Sequence, residues 1–210
     1  MKLDEIVDPA VKKYKEEQAV ILADAIEKIK ADCQPFLNEC GGKFLYRGMK
    51  KGIQYFTRRQ VRMDRKPESS SKFVHNVMDE WLHKKFGIKA RSTTVFTTAD
   101  FQQSAGYSGG YGGAYAIFPI GDFKFVWSEK LYDPFMQMQD VMFDKEDERY
   151  PDDILGPKVE AFLEKSKYRD DNLPAAIASG NEVMIECKEY YAFWVETKQR
   201  GNAFAKKLLA

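Results

Sequence analysis

The sequence contains little histidine or cysteine, and it lacks any long hydrophobic run. Two histidines and three cysteines among 210 residues do not have the spacing of a zinc site or a disulfide framework. No apolar stretch approaches the roughly 20 residues that cross a bilayer, and residues 1–5 offer no apolar signal-peptide core. We therefore expect a cytoplasmic protein without a membrane partner, with free or buried thiols at Cys33, Cys40 and Cys187.

The sequence also has almost no net charge, only +1, but its charges are unevenly distributed. Residues 41–100 carry a net charge of +9, whereas residues 121–171 carry −6. Such an asymmetry can steer an anionic ligand to one face of the protein; the alternative is two solvated faces that neutralise each other. With 44% hydrophobic and 14% aromatic residues, the composition is that of a globular protein and not of a disordered chain.

The N-terminal part of the chain is predicted to be helical. Apolar residues recur at helical spacing between Ile6 and Ile29, and Pro35 marks the far end. We treat residues 1–40 as an N-terminal helical segment and residues 41–210 as the main domain; the sequence leaves open whether the helices are a separate unit or part of that domain. A second helix is predicted to begin near Ser71 and to stop at Gly87, with a strand, Phe44 to Tyr46, before it.

Beyond Gly87 the pattern favours β-structure. We predict strands at residues 93–98, 114–118, 123–127, 182–187 and 190–196. A glycine-rich loop is expected at residues 106–113, and residues 129–170 are expected to be helical or irregular around an acidic loop at 144–149. A helical part followed by a mostly antiparallel sheet is an α+β fold.

Several familiar functional motifs are absent from the sequence. There is no phosphate-binding GxxxxGK[ST] loop, no GxGxxG before a helix, and no serine nucleophile elbow. His75 and His83 lie eight residues apart on the second predicted helix, and no third ligand is spaced near them. We therefore expect no metal site, and a surface or structural role for both histidines.

Three short segments combine polar groups with strand ends. The first predicted strand ends in Arg47 and Gly48, and an arginine there suits a guanidinium aimed at a phosphate or carboxylate. The second ends in Thr97 and Thr98, which offer hydroxyls. The third opens with Glu182, which follows a flexible Ser-Gly turn and brings a carboxylate to the sheet.

Together the three segments resemble the arginine, Ser-Thr-Ser and glutamate signature of the ADP-ribosyltransferases of cholera-toxin type. This family includes bacterial toxins and small bacteriophage-encoded transferases. The runs LYRG at 45–48, FTT at 96–98 and NEVMI at 181–185 match that signature in type and order, and the resemblance covers roughly residues 40–196. It implies a split β-sheet of ADP-ribosyltransferase type, with residues 41–210 as the catalytic domain.

The resemblance also implies an activity, with NAD as the substrate. The nicotinamide–ribose bond would be cleaved and ADP-ribose transferred to a macromolecular acceptor, a protein or a nucleic acid of the host cytoplasm if the gene is carried by a phage. Glu182 would stabilise the oxocarbenium-like ribose, and Arg47 would bind a phosphate of NAD. Gly48 would allow the backbone to approach the nicotinamide amide, since it has no side chain to clash.

The remaining site residues come from the middle segment and the glycine-rich loop. Thr97, with Thr98, would brace the glutamate or the ribose by hydrogen bonding, although Ser92 competes for this role. Tyr107 could stack on the nicotinamide. Gly180 stands two residues before Glu182, where arginine-modifying members carry Glu or Gln, so the acceptor group is left open.

Two other functions are compatible with the sequence. An NAD glycohydrolase of the same fold would use water as the acceptor. A nucleic-acid-binding or virion-associated module would instead use the basic segment from Arg58 to Lys66, with Tyr55 and Phe56 nearby, and its binding would depend steeply on salt.

Overall fold

The computed structural model describes residues 9–49, 54–67, 71–109, 113–143 and 150–210. Within these ranges the chain forms nine helices and an eight-stranded antiparallel sheet, which confirms the α+β prediction. The helices are α1 (Pro9–Asp32), α2 (Gln34–Glu39), α3 (Lys72–Phe86), α4 (Phe101–Gly106), α5 (Pro134–Gln137), α6 (Gln139–Met142), α7 (Asp152–Lys165), α8 (Leu173–Ser179) and α9 (Lys198–Leu209). The strands are β1 (Leu45–Met49), β2 (Phe56–Gln60), β3 (Val95–Thr98), β4 (Gly113–Pro119), β5 (Lys124–Ser128), β6 (Tyr168–Arg169), β7 (Glu182–Glu186) and β8 (Glu189–Val195).

The two central strands of the sheet, β1 and β3, are paired over a very short length. Its strand order is β2-β8-β4-β1-β3-β7-β5-β6, and every neighbouring pair is antiparallel. Strand β1 pairs with β4 over five registered positions, and β3 pairs with β7 over four. Between β1 and β3, by contrast, one registered pair, Tyr46 with Thr98, joins the described residues. The sheet therefore consists of two four-stranded halves that meet at this pair.

Two hydrophobic clusters hold the helices against the sheet. In one, Ile29 and Phe36 of the N-terminal helices are buried together with sheet residues such as Phe118. The Tyr191 hydroxyl donates to Asp32 at 2.6 Å, which ties α1 to β8. The second cluster joins α3, α6 and α7 to the half of the sheet that contains β5 and β7. The N-terminal helices thus share a hydrophobic core with the sheet.

Helix α3 begins and ends where its sequence signals predicted. The Ser71 side chain accepts a hydrogen bond from the Val74 amide at 3.2 Å, which is an N-cap. Gly87 ends the helix with φ of 73°, a left-handed conformation that glycine adopts without steric cost. His75 is buried on this helix and His83 is exposed.

Five elements were not predicted from the sequence: β2, α4, β6, α8 and α9. Strand β6 has only two residues, and α8 lies where a loop before Glu182 was expected. Strand β2 lies at the edge of the sheet and is rich in polar residues, so its pattern is weak. Helix α4 precedes the predicted glycine-rich loop, and Asp100 caps it by accepting from the amides of Gln102 and Gln103. Helix α9 follows the last strand and contains Gly201. The predicted acidic loop at 144–149 and the centre of the glycine-rich loop, 110–112, lie outside the described residues.

The three cysteines are buried and free, as the composition suggested. Burial raises the pKa of Cys33 and of Cys187 to about 12, so both remain protonated thiols at neutral pH. Across the described ranges, no helix is both long and apolar enough to span a bilayer.

Candidate active site

The three strands that carry the predicted site lie side by side in the sheet. Strands β1, β3 and β7 are consecutive neighbours, although long segments separate them in the chain. Tyr46 is paired with Thr98, and Thr98 is paired with Glu182. Arg47 follows Tyr46, so the fold brings the arginine, threonine and glutamate segments to the junction of the two half-sheets.

Arg47 links β1 to β3. Its side chain is half-buried, and Nη1 donates to the backbone carbonyl of Phe96 at 3.1 Å. A guanidinium presents five N–H donors in a planar fork, a geometry that suits a phosphate or a carboxylate.

Gly48 lies where β1 passes very close to the end of α4. A Cβ atom at this position would lie 2.3 Å from the Ser104 carbonyl oxygen and 2.9 Å from the Ser108 amide nitrogen. Since real Cβ atoms do not approach backbone so closely, only glycine fits without a shift of α4. The space at Gly48 is therefore filled by backbone of this chain, which holds the segment bearing Tyr107 next to β1.

The hydroxyls of Thr97 and Thr98 brace the strand that carries Glu182. Thr97 is buried and donates to the Val183 carbonyl at 2.7 Å. Thr98 donates to the Gly180 carbonyl at 2.6 Å and accepts from the Asp100 amide at 3.0 Å. Both threonines thus contact the backbone on either side of the glutamate, and their hydroxyl protons do not go to its carboxylate.

Glu182 lies at the start of β7 with a mostly buried side chain, of which 19% is exposed. Its carboxylate accepts from Nη1 of Arg91 at 2.9 Å. Burial raises the pKa of Glu182 above that of an ordinary glutamate, while the nearby Arg91 opposes this shift. The preceding residue, Asn181, is fixed by its side-chain amide, whose Nδ2 donates to the Ser128 carbonyl at 2.8 Å.

Arg91 was not predicted from the sequence as a site residue. Its guanidinium carbon lies 4.3 Å from the centre of the Phe96 ring, and that of Arg65 lies 3.7 Å from the same ring. Both arginines lie within residues 41–100, the basic part of the chain. The excess of positive charge in this part was the sequence signal that could have indicated them. Pattern reasoning could not distinguish them from the other basic residues there, because only the fold brings them to Phe96.

The loop that carries Arg91 is held by a buried polar network on α3. Asp79 accepts from the backbone amides of Arg91 at 2.7 Å and Ser92 at 3.3 Å, and also from the Ser92 hydroxyl. His75 Nε2 lies 3.0 Å from Ser92 Oγ and donates to it, because the serine proton is already directed to Asp79. Ser92 therefore contacts α3 and not Glu182, whereas Thr97 and Thr98 contact the glutamate strand.

Tyr107 lies at the mouth of the site with 54% of its surface exposed. Its hydroxyl donates to Asp133 at 2.6 Å. Burial of the hydroxyl and this carboxylate raise the pKa of Tyr107 to about 12. Gln103 adds a longer contact to the Tyr132 carbonyl at 3.4 Å. Helix α4 and the segment before α5 are thus joined across the site near Glu182.

The basic segment between Arg58 and Lys66 is partly neutralised within the fold. Both nitrogens Nε and Nη2 of Arg58 donate to the carboxylate of Glu189. Arg62 Nε lies 3.6 Å from Asp64 Oδ1. These two ion pairs reduce the charge that the segment offers to a nucleic acid.

The described residues contain no group of three histidine, cysteine or acidic side chains able to hold a metal ion. The groups that suit a dinucleotide are the half-buried Arg47 and Arg65, with Tyr107 at the mouth. No family model matches the chain, and no curated protein or solved structure matches it.

Proposed function

We propose that this protein is an NAD-dependent mono-ADP-ribosyltransferase that transfers ADP-ribose to a macromolecular acceptor. The observation that carries the proposal is the adjacency of β1, β3 and β7, with Arg47, Thr98 and Glu182 within one residue of a single line across the sheet. The narrow junction between β1 and β3 supports assignment of the sheet to the split ADP-ribosyltransferase type.

The reaction breaks the bond between the nicotinamide nitrogen and ribose C1′. The electron pair of that bond leaves with the nicotinamide, and positive charge develops on the ribose. The Glu182 carboxylate stabilises this charge in a largely dry site, where such an interaction is strong. The acceptor nucleophile then bonds to C1′ and gives up its proton to the solvent.

The other site residues bind and orient. Arg47 binds a phosphate of NAD through its planar guanidinium, which lies half-buried at the junction of the half-sheets. Thr97 and Thr98 hold β7 so that Glu182 keeps its place. Tyr107 presents an exposed ring at the mouth, suited to stacking on the nicotinamide.

The proposal is tested with NAD labelled in the adenylate part, incubated with the purified protein with and without cell lysate. The variant is Glu182→Gln, and the matched control is Glu186→Gln, at the other end of the same strand. We expect label on protein or nucleic acid with the wild type and the control, and a loss of about 100-fold or more in Glu182→Gln.

The other outcomes separate the alternatives. Release of nicotinamide and free ADP-ribose, with no label transferred, identifies an NAD glycohydrolase. Loss of activity in Glu186→Gln together with full activity in Glu182→Gln moves the carboxylate role to Glu186. No NAD consumption with any lysate, together with salt-sensitive nucleic-acid binding, favours the binding module.

A further inference from the structure

We propose that Arg91 is the positioning residue of Glu182: its guanidinium holds the carboxylate in place. The inference rests on the proposed function for its catalytic consequence. The ion pair itself, however, is a property of the fold that is measurable without any turnover.

The threonine hydroxyls of β3 donate to backbone carbonyls and not to the Glu182 carboxylate. Thr97 donates to the Val183 carbonyl and Thr98 to the Gly180 carbonyl. A hydroxyl has a single proton to donate, so neither can also hold the carboxylate of Glu182. Within the described part of the chain, the hydrogen bond to that carboxylate comes from Arg91, at 2.9 Å.

Arg91 is itself held in place by contacts of its backbone and of its guanidinium. Its backbone amide donates to Asp79, and its guanidinium lies on the Phe96 ring, with Nη1 3.9 Å from the sulfur of Met184. Only 11% of its side chain is exposed. A charge fixed in a dry environment orients its partner at little entropic cost and acts more strongly than an exposed ion pair.

The ionisation of Glu182 depends on the charged groups that surround it. Charged and titratable groups face it from five separate segments: Arg65 after β2, Arg91 before β3, Tyr107 after α4, Asp133 before α5, and Tyr168 on β6. Burial and Asp133 favour the neutral carboxyl, whereas Arg91 and Arg65 favour the carboxylate. Loss of Arg91 therefore raises the pKa of Glu182 further and depletes the ionised form that can stabilise a cationic ribose.

The test compares Arg91→Gln and Arg91→Lys with the control Arg169→Gln. Arg169 also pairs with carboxylates, Glu129 at 2.6 Å and Asp171 at 2.7 Å, but on the outermost strand β6. Nicotinamide release is measured between pH 5.5 and 9, with melting temperatures to confirm folding. We expect Arg91→Gln to lower kcat about 10- to 100-fold at neutral pH, as small misplacements of a catalytic group do, with KM changed less than about twofold.

The pH profile distinguishes positioning from a structural role. The loss in Arg91→Gln should be largest at acidic pH and shrink as the pH rises, because alkali restores the carboxylate. Arg91→Lys, which keeps the charge, should retain most of the activity, and Arg169→Gln should match the wild type. An equal loss at every pH, or a raised KM with kcat unchanged, would overturn the inference.

A second readout is independent of catalysis. In protein labelled with 13C-glutamate, the Glu182 carboxyl signal is assigned by its absence from Glu182→Gln, and its titration midpoint is measured by NMR. We expect the midpoint to be higher in Arg91→Gln than in the wild type and unchanged in Arg169→Gln. Equal midpoints in wild type and Arg91→Gln would overturn the inference. Wild-type protein that consumes no NAD would refute the proposed function alone, and the titration would still decide on the pair.

Discussion

Thr98 of β3 lies directly opposite Glu182 of β7, and its hydroxyl donates to the carbonyl of Gly180, two residues before the glutamate. The contact joins the end of one strand to the start of the next. It therefore fixes where the chain enters β7, and with it the position of the Glu182 side chain at the junction of the half-sheets.

Arg47→Lys should weaken NAD binding. A lysine places one point charge where the planar guanidinium offers several directed N–H groups, so we expect the Kd for NAD to rise about tenfold. The Kd is measured by calorimetry with each substitution made in the Glu182→Gln background, so that NAD is not consumed during the titration. Arg58→Lys, on β2 and paired with Glu189, is the control, and an unchanged Kd in Arg47→Lys would contradict the assignment.

Thr97→Val should lower turnover more than Ser92→Ala does. The Thr97 hydroxyl bonds the strand of Glu182, whereas Ser92 bonds α3 and leaves the bond between Asp79 and the Arg91 amide intact. We expect Thr97→Val to cost about 1 kcal/mol of unfolding free energy as well. Kinetics and urea titration of both variants decide; a silent Thr97→Val beside an impaired Ser92→Ala would show that the hydroxyl role belongs to Ser92.

Gly48→Ala should destabilise the protein. The added methyl would meet the Ser104 carbonyl oxygen at 2.3 Å, and backbone can relieve this only by moving α4. We expect a loss of about 1–3 kcal/mol of unfolding free energy in urea titrations. Gly106→Ala is the control, because a Cβ atom there meets nothing within 4 Å. Equal stability of the two variants would argue against the close packing of β1 on α4.

Tyr107→Phe and Tyr107→Ala should have different effects on NAD binding. Phenylalanine keeps the ring and loses only the hydrogen bond to Asp133, so the Kd for NAD should stay within about twofold of the wild type. Alanine removes the stacking surface and should raise the Kd roughly 3- to 10-fold. If binding instead weakens equally in both variants, the hydroxyl and not the ring makes the contact.

His75→Gln should reduce the loss of stability on acidification. Burial lowers the pKa of His75 below its ordinary value of 6.5, while Asp79 opposes the shift. His75 in the unfolded chain therefore binds a proton more readily than in the folded protein. The free energy of unfolding consequently falls as the pH drops below about 6.5. Urea titrations between pH 5 and 7.5 should show a flatter dependence in His75→Gln. His83→Gln, on the exposed side of α3, is the control for removing a histidine from this helix.

The sequence was sufficient for those parts of the fold whose signals are local. Ser71 and Gly87 predicted both ends of α3, and short apolar and β-branched runs predicted the buried strands. The sequence was insufficient for α9, which contains Gly201. A glycine inside a helix usually costs about 1 kcal/mol relative to alanine. In the fold this glycine allows close packing, since a Cβ atom there would lie 3.0 Å from Val195 and 3.1 Å from the Tyr46 hydroxyl.

The sequence by itself determined which polar side chains the three strands carry, Arg47, Thr98 and Glu182, and the order in which they follow. The tertiary structure decided which residues surround the glutamate. Arg91 reaches Glu182 because Asp79 on α3 holds its loop and Phe96 supports its guanidinium. Such contacts depend on strand register and helix packing between distant segments, which no local pattern of residues encodes.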